Sequence, residues 1–433
     1  MASDRDYLLS LQAVREQSKK VLAIAQRNGL NHFEFDASRM DVVADYVIGV
    51  IDASILPAAA SAVLHHTIPP HGRWQHFDLG RPGRIESLID SWRSKGTNDL
   101  EITRRLIDLF FVSVLLDAGA GDFWRFVEPE TDITLSRSEG IAVASLHMFV
   151  DGAFASEAAE QGEQADGTGL SELSEKSFNK HFQITDDNPM IGVASRVNLL
   201  RNVGSALLKH PEVFGQEGRP GNIVDYLTKS AGDGKELEYE TLWRSLQQLL
   251  IPSWPGNRTV YNGEPIGDAW PLAVLGANDS TTNDKSAIHP FHKLTQWLAY
   301  SLTVPFQRIL GYTWKNLDLG TGLPEYRNGG LFVDLGVLKL KDEVAAASKK
   351  DEQGLPVFDA STDVVVEWRA MTVALLDDLH RIISGRYKAK GVTLSIPQML
   401  EAGTWKSGRE LAAERRPKTK SSPIIVISDG TLY

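Results

Sequence analysis

The stretch LEITRRLIDLFFVSVLLD, Leu100 to Asp117, decides the fold class. Its apolar residues return at helical spacing and cover the cylinder nearly all the way round, the pattern of a central buried helix rather than a surface one. Working outward, similar periodicity predicts helices over 7–26, 140–150 (GIAVASLHMFV), 192–209, 240–251, 291–303, 330–341 and 363–386. Strand-type alternation is scarce, and PIIVIS at 423–428 is its best case. The expectation is a mainly α protein, a multi-helix fold of two lobes with a few short strands.

A chain of 433 residues exceeds one average domain and suits two lobes sharing a cleft. EAAEQGEQADGTGLSELSEK, residues 157–176, loses the large apolar side chains and gains acids, Gly and Ser. It marks the expected boundary between an N-terminal lobe, 1–180, and a C-terminal lobe, 181–433. KKDEQGLPVFDAST (349–362) and AAERRPKTKSSP (412–423) read as surface excursions. A hydrophobic content of 42% can bury a core, and no apolar run reaches the roughly 18 residues of a membrane span, so a soluble cytoplasmic protein is expected. With no cysteine, thiolate nucleophiles and Cys-ligated metals are excluded. A formal charge of −11 disfavours nucleic acid, which is bound by clustered Lys and Arg, and leaves a small-molecule ligand open.

Several stretches carry candidate chemistry. NPMIGVASRVNLLRNVGSALLKHPEVFG places Asn188 as N-cap and Pro189 at the first helical position, which reads as a capped core helix. In the helix from Asp363, Val364, Trp368, Met371, Leu375 and Leu379 form the apolar stripe, with Glu367 inside it and Arg369 between Val366 and Val373. A buried charge needs a partner, so Glu367 and Arg369 are either a structural ion pair or ligand contacts. Asp117 ends the opening helix before a Gly-containing turn, and SRSEG then brings Arg137 and Glu139. That is either an anion nest beside a carboxylate or a plain helix stop and start. PPHGRWQHFDLGRPGR, residues 69–84, sets Trp74 among cations in a Pro- and Gly-rich loop, which suits a flat polar ligand. Neither its histidines nor HPFH at 289–292 has the spacing of a zinc site, so no metal is expected. GLPEYRNGG, Gly322 to Gly330, sets Glu325, Tyr326 and Arg327 at the start of an apolar helix, where they either solvate a turn or line a pocket.

The last stretch also carries a resemblance. PEYRNGGLFVDLGVL is similar to the Asp-Tyr-Arg segment of the queuosine salvage proteins, with Glu325 in place of the Asp. VVVEWRA resembles that family's Val-Glu-x-Arg helix start, through Glu367 and Arg369, and FHKLTQWLA its Phe-x-Lys-x-x-Gln helix, through Phe291, Lys293 and Gln296. The resemblance implies a helix-hairpin-helix glycosylase-like C-terminal part and an N-glycoside hydrolase activity. LLDAGAG, RSEGIAVASLHMF, TDDNPMIG and GLPEYRNGG, spread over both halves, resemble the uracil catabolism protein 4 family of fungi and bacteria. That likeness implies a uracil-degrading route with a ribosylurea intermediate.

Joined, the two imply cleavage of ribosylurea, carried as its 5-phosphate, into urea and ribose 5-phosphate. Departure of nitrogen from ribose C1 builds an oxocarbenium-like cation, which calls for a carboxylate. Glu325, Asp318, Asp117 and Glu139 are the candidate catalytic acids. Arg327 and Lys293 suit a phosphate, and Tyr326, Glu367, Arg369, Trp74 and Arg137 complete the candidate binding set. No cofactor, metal, nucleic acid or membrane enters this chemistry. The alternative from another class is a non-catalytic helical scaffold of the same route.

Overall fold

The computed structural model describes residues 3–55, 68–117, 123–129, 131–157, 159, 162–231, 234–256, 258–277, 283–389 and 391–427. Helices dominate them, and the longest strand is four residues, Pro356–Asp359, so the mainly α expectation holds. No helix among the described residues is long and apolar enough to cross a membrane.

The chain forms two compact units, each assembled from separated segments. The first comprises Met1–His71, Asn257–Lys293 and Asp318–Ser428. Its spine is the helix Asp363–Lys388, which packs on Leu11–Ala25 and Met40–Ile55. The stripe read from the sequence is buried throughout, from Val364 to Leu379. Arg15 ties two segments together: its Nε–H donates to Asp377 (2.8 Å) and its Nη2–H to the Gly320 carbonyl (2.8 Å). The single helix expected over 7–26 is broken at Ser10, whose hydroxyl accepts the Ala13 N–H (3.1 Å) and caps Leu11–Ala25.

A larger departure concerns 330–341. The helix there is Tyr326–Asp334; Gly336 then turns the chain at φ +78, and Leu338–Leu340 pairs antiparallel with Phe33–Phe35. Gly takes that left-handed conformation without a Cβ penalty, and it is what stops the apolar run from continuing as helix. The excursion expected at 349–362 is exposed or half-buried except at Ala360 and carries part of a small sheet: Pro356–Asp359 lies between Lys349–Lys350, antiparallel, and Ile425–Ile427, parallel. The last of these realises the strand read in PIIVIS.

The second unit is built from Gly72–Gly256 and Leu294–Leu317. The helix Asp99–Leu115, started by the Asn98 side chain accepting the Glu101 N–H (2.9 Å), is buried from Arg105 to Leu115 and packs on Arg137–Val150. The acidic stretch 157–176 lies inside this unit rather than between lobes divided at residue 180. Its Gly167–Ser171 turn of helix presses on Val193–Leu207 so closely that a Cβ on Gly204 would stand 2.6 Å from the Gly167 carbonyl oxygen. Val193–Leu207 starts from Gly192 at φ +75, not from Asn188. The Asn188 side chain is engaged instead with the backbones of Arg125 and Gln183, at 2.7 to 2.8 Å.

Candidate functional site

In the first unit the Glu-Tyr-Arg motif opens a helix. Glu325 is its N-cap: one carboxylate oxygen accepts the Arg327 N–H (2.7 Å), the other the Asn328 N–H (2.5 Å). Ser, Thr, Asp and Asn usually fill that position, so the longer Glu arm has to fold back to reach its own helix. The paired glycines give room: a Cβ on Gly329 would meet the Trp368 ring at 2.8 Å, and one on Gly330 would meet Pro423 at 3.0 Å. The Glu325 pKa is raised by burial, against which the two amides and then the charges of Lys293 and Arg327 act only in part. An ionised carboxylate has about four lone-pair sites, and the cap takes one on each oxygen, so each keeps another for a ligand or water.

Arg327 is also buried. Its Nη1–H donates to the Lys420 carbonyl (2.8 Å), and its guanidinium lies over the half-buried Tyr326 ring at 5.0 Å. Its other guanidinium N–H groups have no partner among the described residues. Lys293 stands where its charge bears on Glu325. Glu325, Tyr326 and Arg327 thus meet at one helix start, and the Lys293 charge acts on its carboxylate.

The remaining candidates of this unit are engaged elsewhere. Asp318 lies exposed on a short 3-10 turn, where its carbonyl, not its carboxylate, receives Arg15 (3.1 Å). Glu367 accepts the N–H groups of Asn31 (2.8 Å), His32 (2.8 Å) and Phe33 (3.2 Å), pinning the segment that enters the Phe33–Phe35 strand. Arg369 makes a two-pronged pair with Asp268, at 2.8 and 2.7 Å. Glu367 and Arg369 therefore do not pair with each other as the sequence allowed, and the acid that does pair with Arg369 was not legible. GDAW carries no periodic signal, and Asp268 meets Arg369 across 101 residues of chain. Burial would raise its pKa, but Arg369, the Lys293 amide and the Trp270 indole hold it far below the carboxylate range. His289, in the HPFH stretch, is buried against Phe291, ring centroids 4.3 Å apart, and shares a hydrogen bond with Ser18 at 3.0 Å. Desolvation lowers its pKa to about 3, so the imidazole stays neutral.

In the second unit, Asp117 accepts Arg73 Nη1–H at 2.8 Å. Arg73 is wholly buried; it also donates to the Ser113 hydroxyl (2.7 Å) and to the carbonyls of Ser113 (3.0 Å) and Ser138 (3.2 Å), with its guanidinium 5.3 Å from the Trp297 ring. Burial lowers the Arg73 pKa, while Asp117 and Glu139 oppose it. Arg196, equally buried, donates to the carbonyls of Leu116 and Ile191; its pKa falls to about 10, again with Asp117 opposing. Asp117 is thus paired with a buried guanidinium group, on which the Glu139 charge also acts. Arg137, half-buried, begins its helix at φ +54, an uncommon conformation for a side-chain-bearing residue. Trp74 is a core residue rather than a ligand platform: it is buried, edge-on to Phe110 at 5.8 Å, and capped by Arg308 at 4.4 Å. The loop expected over 69–84 contains the buried helix Arg73–Phe77. The Gly-Ala-Gly turn after Asp117 lies outside the described residues. Among the described residues no cluster of three or more His, Asp or Glu could hold a metal ion.

Comparison with known proteins covers the whole chain. It is 44% identical to the protein urg3 of Schizosaccharomyces pombe over 427 residues, 98% of each chain. It is 42% identical to uracil catabolism protein 4 of Lachancea kluyveri over 443 residues, 99% of this chain and 98% of the relative. The model of the family described as protein of unknown function (DUF1688) matches residues 7–433, and with these relatives the chain belongs to that family.

Proposed function

We propose that this protein acts in uracil catabolism as an N-glycoside hydrolase, splitting ribosylurea, carried as its 5-phosphate, into urea and ribose 5-phosphate. One observation carries the reading: a buried carboxylate, Glu325, on which the charges of Arg327 and Lys293 act. The Lachancea kluyveri relative is named for uracil catabolism, and the Glu-Tyr-Arg motif resembles that of queuosine salvage hydrolases; both support it.

In this reading the C1–N bond breaks, the ring oxygen shares the resulting positive charge, and Glu325 faces that cation with the lone pairs its helix cap leaves over. Water adds its oxygen to C1, and the proton it releases balances the one taken up by the urea nitrogen. Lys293 and the remaining N–H groups of Arg327 receive the phosphate, the first as a point charge and the second as a planar fork. The scaffold reading draws on the same geometry, since a Glu that caps its own helix also serves stability alone.

Product analysis separates the two. Purified protein mixed with ribosylurea and with its 5-phosphate is expected to release urea, faster from the phosphate. Release from neither compound by folded protein leaves the scaffold. Glu325→Gln is expected to cut kcat roughly 100-fold or more with KM little changed, as for a group acting in the transition state.

A further inference from the structure

Asp268 does more than neutralise Arg369. Its carboxylate accepts both Arg369 prongs, the Trp270 indole N–H (2.8 Å) and, through the second oxygen, the main-chain N–H of Lys293 (3.0 Å). Its own carbonyl accepts the N–H of Phe291 (2.8 Å) and of His292 (3.0 Å). One residue thus binds three successive amides, those of Phe291, His292 and Lys293. The segment they belong to is conformationally costly. His292 sits at φ +47, which disfavours any residue but glycine by about 1 kcal/mol or more. It is held there by burial and by a hydrogen bond to the Leu8 carbonyl at 2.8 Å. The Arg369 guanidinium, clamped by Asp268, lies over the Phe291 ring at 4.0 Å.

We propose that Asp268 is a positioning residue: by fixing these three amides it sets the origin and direction of the Lys293 side chain. This rests on the reading of Glu325 and Lys293 as the reacting group, and it deepens that reading. An ion pair serving stability alone needs no connection to consecutive amides of a strained turn. A buried, strained segment immediately before a functional cation is the arrangement expected where exact placement matters more than stability.

The test is a cycle read on Glu325 itself, by carbon-13 NMR titration of its carboxyl in the full chain. Lys293 and Arg327 are the charges that act most strongly on that carboxyl. Lys293→Met should raise its proton affinity roughly tenfold, since an adjacent cation is lost. Asp268→Asn should raise it too, by a few-fold. The direction is diagnostic, because removing the Asp268 charge by itself lowers that affinity, so a rise reports a displaced ammonium. In the Lys293→Met background the Asp268→Asn effect should vanish or reverse. His292→Gly, which relieves the strain and loosens the turn, should give a smaller rise in a protein that remains folded even where Asp268→Asn does not. No rise in either single variant, or a rise undiminished in the Lys293→Met background, overturns the proposal. The cycle needs no substrate, so it stands apart from the activity: wild-type protein that releases no urea refutes the hydrolase reading while the titration still decides the role of Asp268. If the hydrolase reading holds, Asp268→Asn should also lower kcat/KM about tenfold, and not further once Lys293 is gone.

Discussion

At the scale of the residue, Glu367 shows how a charge in an apolar stripe misleads. Its place among Val364, Trp368 and Met371 signals a partner, and a ligand is one candidate; the partners prove to be three backbone N–H groups of a segment more than 330 residues earlier. Glu367→Gln halves the acceptors facing those amides. It is expected to lower unfolding free energy by about 1 to 3 kcal/mol, measured by urea titration, as buried N–H groups lose their acceptors. An unchanged midpoint would mean that Asn31 to Phe33 find other acceptors. Glu325 differs, because only two of its lone-pair sites are used by its own helix. The helix-start place of Glu325 was legible in GLPEYRNGG, whereas Asp268 was hidden by distance along the chain.

At the scale of the element, periodicity located the long helices to within a few residues: 363–386 is Asp363–Lys388, 100–117 is Asp99–Leu115, and 192–209 is Val193–Leu207. It failed where an apolar run serves two elements in turn. LFVDLGVLKL has enough apolar residues to continue as helix, and the pairing that converts its end to a strand lies with Phe33–Phe35, which no local window can contain. Helix contacts made through glycine were equally invisible. A Cβ on Gly408, in the helix Trp405–Arg415, would stand 2.3 Å from the Arg327 carbonyl oxygen. Gly408→Ala must push that helix off the one bearing Glu325 and Arg327. The expected cost is about 1 to 3 kcal/mol in a urea melt, with reduced turnover as the motif shifts. A melt equal to wild type would show that the two helices separate without strain.

At the scale of the whole molecule, acid is the informative perturbant. Glu128 accepts Arg84 Nε–H (2.8 Å) and Nη2–H (2.7 Å) and the Thr131 hydroxyl (2.9 Å), and Arg84 above all holds its pKa down to about 2. Asp268 is lowered as well. A lowered carboxyl binds fewer protons folded than unfolded, so its stabilisation is complete above the unfolded value and is lost as pH falls through the folded one. Urea-unfolding free energy should therefore decline between roughly pH 5 and 2. In Glu128→Gln it should be lower at neutral pH, by about 3 kcal/mol for a broken buried pair, with a shallower decline in acid. A variant whose pH profile parallels wild type would mean that Glu128 titrates normally in the folded state.

The interleaving of the two units also bears on how the protein is made. Arg15 and Asp377, which join helices of the first unit, are 362 residues apart. At roughly 5 to 20 residues per second, a ribosome needs on the order of 20 to 70 s to carry the nascent chain from one to the other. For that interval the apolar face of Leu11–Ala25 has been synthesised and its partner has not. The long segment Gly72–Gly256 of the second unit emerges meanwhile, so the amino-terminal helices must wait until translation is nearly finished. Chains stopped before Asp363 should accordingly expose the first unit to protease and recruit chaperones.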